Sequence, residues 1–118
     1  MMIDWITYHK ELLGRIGELG QLSPDTLKGY RTLSAAGETT GRLSPKIREL
    51  IALAVAVTLR CDGCIVVHAD AALTKGATLE DVSEALGVAV ALNAGAAMVY
   101  SARALDALAT KLQKNTAA

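Results

Sequence analysis

The chain has 118 residues, with 12 basic side chains balanced by 12 acidic ones, so charge gives no reason to expect a nucleic-acid partner. Hydrophobic residues make up 52% of it, yet Phe is absent and aromatics reach only 3%, so a core has to be built from Ala, Val, Leu and Ile. That much apolar surface on one small domain points to burial between subunits, and a homo-oligomer is expected.

The N-terminal run MMIDWITYHKELL carries Asp4 early and has no apolar h-region, which argues against a signal peptide. Residues 4–19 fit a helix, with Ile6, Leu12, Leu13, Ile16 and Leu19 near helical spacing. His9 falls among its surface positions. Ser23-Pro24 is a start signal, an N-cap followed by Pro at the first helical position, and predicts a helix to about Ala36 that Gly37 ends. Residues 38–43 then read as a loop. Ser44-Pro45 repeats the start signal before a helix to about Leu59 that is apolar on nearly every side and is therefore expected to be buried.

Asp62-Gly63 is read as the break before the next helix, which runs to Lys75 and stops at Gly76. Thr78 to Asp81 resembles a capping box and opens a helix to about Leu92. Asn93-Ala94-Gly95 is read as a turn or kink before a last helix to about Leu112. The apolar stretch 86–100, interrupted by Asn93 and Gly95, falls short of a membrane span. The whole is an all-α bundle of five to six helices in a single domain. A soluble, cytoplasmic protein is expected, where thiols are kept reduced and a cysteine pair points to catalysis or metal rather than a structural staple.

Both cysteines lie in RCDGCIVVHAD, residues 60–70. Cys61 and Cys64 are i, i+3, and Cys64 and His68 are i, i+4, so all three share one helix face. A helix start favours a thiolate, and a second thiol three residues away can capture an oxidised first one. Glu49 sits early in the most apolar helix, where a carboxylate needs a partner; a proton relay with His68 and an ion pair with Arg48 or Arg60 are both open. A zinc site could draw on Cys61, Cys64, His68 and Glu49, but there is no second Cys-x-x-Cys, and three ligands on one rigid helix face make a poor tetrahedron. No metal or other cofactor is expected.

The run from Arg48-Glu49-Leu50 through Cys61-x-x-Cys64-x-x-x-His68 to Gly76-Ala77-Thr78 and Glu84-Ala85-Leu86 resembles the core of the alkylhydroperoxidase D (AhpD)-like proteins of the carboxymuconolactone decarboxylase superfamily. The resemblance spans about residues 40–109. It implies an all-α fold assembled as trimers or hexamers and a thiol-dependent peroxidase. In that scheme Cys64 is the peroxidatic thiol and Cys61 the resolving one. Glu49 and His68 relay the proton, and a dithiol reductant such as a lipoylated protein restores the thiols. A lactone decarboxylase of the same superfamily and a non-catalytic dithiol sensor are the rival readings. Gly63 departs from the pattern, since some active members carry His or an aromatic residue there.

Overall fold

A computed structural model describes residues 1–117. Five helices follow in order: α1 (Trp5–Leu22), α2 (Pro24–Thr40), α3 (Pro45–Leu59), α4 (Asp62–Thr74) and α5 (Leu79–Ala117). There is no strand among the described residues. The all-α expectation holds, with five helices because residues 93–95 do not break the chain.

Two of the start signals act as read, and Pro24 opens α2 although the Ser23 side chain makes no capping bond. Ser44 Oγ accepts the Ile47 amide at 3.2 Å, with Pro45 in the first turn of α3. Thr78 and Asp81 form a reciprocal cap, the Thr78 amide donating to Asp81 Oδ2 at 2.9 Å and the Asp81 amide to Thr78 Oγ1 at 3.1 Å. These bonds favour the charged form, so the Thr78 amide above all holds the Asp81 carboxyl below the usual carboxylate range. Asp4 caps α1 in the same way through Thr7 and is lowered for the same reason.

The stop signals differ from expectation at three places. Gly37 does not end α2; the terminator is Gly41, in the left-handed region at φ 61°. The break between α3 and α4 is not Asp62-Gly63, which lie in the first turn of α4, but Arg60, a non-glycine at φ 55°. Asn93 stays helical because its amide donates to Ala89 O within α5 and to Thr58 Oγ1 of α3.

The packed centre is small. Leu53, Ala56, Ala72, Ala77 and Ala89 are buried, and Leu50, Ala69 and Val82 pack against the cluster of Leu53, Ala72 and Ala77. Four of the five buried residues are alanines, which let α3, α4 and α5 approach closely. α3 is the hub, packed on α4 and on α5, while α1 leans on α2 and α4. Arg48 ties α2 to α3, donating to Gly37 O at 3.1 Å and Leu43 O at 2.8 Å.

Much of the molecule lies outside that centre. The radius of gyration is 20.2 Å, against about 13.5 Å for a compact domain of this length. Accessible surface is 9443 Å², against about 6,100 Å² for a folded monomer of this mass. α1 and α2 have no buried residue, and α5, which at 39 residues extends about 58 Å, adds a long uncovered half. Residues 96–116 are exposed throughout. Because α5 is unbroken, Leu79–Thr116 is long and apolar enough to cross a membrane, with a mean hydropathy of 1.6 in its most apolar window. Reading residues 93–95 as a break had hidden that length.

Candidate dithiol site

The one-residue hinge at Arg60 sets the site. α3 ends when the Arg60 and Cys61 amides turn back onto Val57 O and Ala56 O. The chain then re-enters a helix at once, with Cys61 as the N-cap of α4. Its Sγ accepts the Cys64 amide at 3.2 Å, the bond a Ser or Asp side chain makes in an ordinary cap. Cys61 and Cys64 are joined as a disulfide, their Cα atoms 5.2 Å apart, at the end of α4 where unpaired amides favour negative charge.

His68 lies one turn further along α4. Its Nδ1 is 2.7 Å from Glu49 Oε2 of α3, a contact between residues 19 apart in sequence. The side chains are 28% and 22% exposed, so the pair is neither sealed in the core nor freely solvated. An ionised carboxylate can only accept, so the bond holds a proton on Nδ1 and leaves Nε2 as the nitrogen that can exchange one. Of the partners open to Glu49, the one it bonds is His68, while Arg48 is engaged with the backbone carbonyls of Gly37 and Leu43. The four residues singled out in the sequence come from the antiparallel α3–α4 pair, two thiols at its turn and the carboxylate–imidazole pair a turn below.

A model of the carboxymuconolactone decarboxylase family matches residues 24–107, from the start of α2 into α5. The chain belongs to that family. Its AhpD-like core was expected over residues 40–109; the match takes in α2 as well. An uncharacterized protein of Haemophilus influenzae is 47% identical over 107 residues, covering 91% of this chain and 95% of that one. An uncharacterized protein of Cupriavidus necator is 32% identical, covering 89% and 93%. The crystal structure of apo-lpg0406, a carboxymuconolactone decarboxylase family protein from Legionella pneumophila, superposes with a TM-score of 0.72 at 32% identity. It covers 86% of this chain and 91% of that one.

In this family member Gly63, between the two cysteines, faces α1. A methyl group on Gly63 would come 2.9 Å from Leu12 Cδ2 and 3.7 Å from the Tyr8 hydroxyl. Tyr8 and Leu12 also line a hollow of about 550 Å³ along α1, with Glu11, Gly14, Arg15 and Glu18. Tyr8 lies four residues before Leu12 in α1. Among the described residues no three His, Cys, Asp or Glu side chains cluster as metal ligands.

Proposed function

We propose that this protein is a thiol-dependent peroxidase of the alkylhydroperoxidase type. The observation that carries the reading is the dithiol at the head of α4 with the Glu49–His68 pair one turn away. His68 Nε2 accepts the thiol proton, and the Cys64 thiolate attacks the peroxide oxygen. The O–O bond breaks, Cys64 becomes a sulfenic acid, and the departing alkoxide takes the proton back from the imidazolium to leave as alcohol. Glu49 holds the ring and stabilises its charged form. The Cys61 thiol then displaces water from the sulfenic acid, closing the disulfide. A dithiol reductant, by family resemblance a lipoylated protein, returns two electrons and two protons. No metal or organic cofactor takes part in this sequence. The cycle fits the cytoplasm, where such reductants keep thiols reduced.

The reading includes a homo-oligomer, a trimer or hexamer by the same resemblance. About 3,300 Å² of surface beyond that of a compact monomer supports it, since a standard interface takes about 800 Å² from each partner. Second copies rather than lipid cover α5 in this reading, because Asn93 in the middle of its apolar stretch is bonded to Thr58 of α3.

The decisive experiment is steady-state peroxide consumption with a dithiol reductant. Cys64→Ser is expected to abolish turnover. Cys61→Ser is expected to react once and stall as a sulfenic acid, visible by mass spectrometry. Full turnover in both variants rules the peroxidase out. Stoichiometric disulfide formation without turnover in the wild type would mark a sensor, and lactone turnover surviving the double Ser variant would mark a decarboxylase.

A further inference from the structure

The two sulfurs of the disulfide stand in different places on α4. Cys61 is the N-cap and Cys64 lies in the first turn. The Ile65 amide bonds to Cys61 O at 2.9 Å, so the amides of Asp62, Gly63 and Cys64 come before the helix's own ladder. One of the three, the Cys64 amide, donates to Cys61 Sγ at 3.2 Å. Of the site's two hydrogen bonds, this one and His68 to Glu49, neither ends on Cys64 Sγ. A bond from an amide strengthens as its acceptor gains negative charge, and a helix start favours a thiolate. Arg60 and Asp62 flank Cys61 with opposite charges, both exposed and screened, so neither sign prevails beside it. Both cysteines are half-buried, so exposure does not rank them. When a thiolate opens a disulfide, the departing sulfur takes the electron pair, and it leaves faster the better it holds that charge.

We propose that Cys61 is the leaving sulfur when the disulfide is reduced, so that the dithiol reductant is joined to Cys64. A thiolate of the reductant attacks Cys64 Sγ and a new S–S bond forms there. The Cys61–Cys64 bond breaks, and Cys61 departs with the electron pair as a thiolate held by the Cys64 amide. The reductant's second thiolate then attacks its own sulfur in the mixed disulfide. The reductant leaves as a disulfide, two electrons poorer, and Cys64 takes up a proton. The inference rests on the dithiol being redox-active but not on peroxide chemistry. It divides the labour of the proposed cycle: Cys64 relies on His68 to take its proton, while Cys61 is already charged at the cap when the sulfenic acid forms.

The test labels the wild-type chain twice and maps each label by mass spectrometry of its peptides. First, the oxidised protein is mixed with 2-mercaptoethanol and quenched in acid, and the mixed disulfide is expected on Cys64. Second, the fully reduced protein meets less than one equivalent of iodoacetamide near pH 7, and the first alkylation is expected on Cys61. One hydrogen bond to a charged sulfur shifts the thiolate equilibrium about tenfold, and a Brønsted slope of about 0.5 passes about threefold of it to each rate. Both preferences should vanish when the labelling is repeated on the chain unfolded in guanidinium. Access alone would mark the same cysteine in both assays, so a shared target overturns the proposal. Reversed targets, no preference, or a preference that survives unfolding overturn it as well. No peroxide enters either assay, so a wild type that fails to consume peroxide sinks the peroxidase reading alone and leaves this result standing.

Discussion

The α3–α4 pair and the outer half of α5 are both rich in Ala, Val and Leu, yet they sit in opposite environments. In the pair, Leu53, Ala56 and Ala72 are buried, and near the dithiol the Cys64 amide and the His68 ring each have a defined partner. Beyond Asn93, Met98, Val99, Tyr100, Leu105, Leu108 and Leu112 are all more than half exposed. Composition alone does not separate the two. What separates them is whether a facing element exists within the chain: α4 gives α3 one, and nothing in the protomer gives the end of α5 one. The first region holds the candidate site; the second is left uncovered by the rest of the protomer.

That division can be broken by experiment, beginning with the largest effect. His68→Asn or Glu49→Gln is expected to slow peroxide turnover by about 10²–10⁴ while leaving the molecular mass in solution unchanged. Loss of assembly in either variant would mean that the two regions are coupled. Next, Leu53→Ala empties the small centre shared by α3, α4 and α5 and is expected to cost about 2–5 kcal/mol in chemical denaturation. A cost well below that range would show that the protomer's stability resides in its contacts with other copies.

The converse experiment charges the outer half of α5. The wild type is expected to run in light scattering at three or six times its 12.3 kDa chain mass. Leu105→Asp with Leu108→Asp should fall toward one chain mass and still form the Cys61–Cys64 disulfide on one equivalent of peroxide. A wild type that is itself monomeric removes the contrast, and one that partitions into membranes reassigns the partner of α5.

The smallest effect lies at the junction. Asp81 has a depressed folded-state pKa, so its contribution to stability is present above the unfolded value of 3.8 and lost as pH falls through the lowered folded one. Asp81→Asn should therefore lower Tm slightly at pH 7, with the gap to wild type closing as pH falls through the lowered folded-state value. A gap that persists into acid would assign the effect to geometry rather than charge.

Features that a few adjacent residues decide were legible in the sequence. Ser44-Pro45 and Thr78 to Asp81 announce helix starts because the cap is made within four residues. The shared face of Cys61, Cys64 and His68 follows from helical spacing alone. Asn93 was misread because its amide is satisfied by Thr58, 35 residues away, and no local rule knows that. Gly37 was misread because the left-handed residue that stops α2 is the next glycine, Gly41, while the Gly37 carbonyl takes the Arg48 guanidinium instead. Glu49 could be suspected from its apolar setting, but its partner had to come from the fold.

The cysteines bridge only three positions, and that shortness has a thermodynamic consequence. By the loop-length relation, a four-residue ring restricts the unfolded chain by about 2 kcal/mol, against about 4.7 kcal/mol for a loop of 100 residues. No helix is stapled to any other by this bond, and none is released when it opens. In the proposed cycle, two electrons would come and go at the head of α4 without any helix being tied to or freed from another, so each oxidation would be met by the same scaffold that met the last.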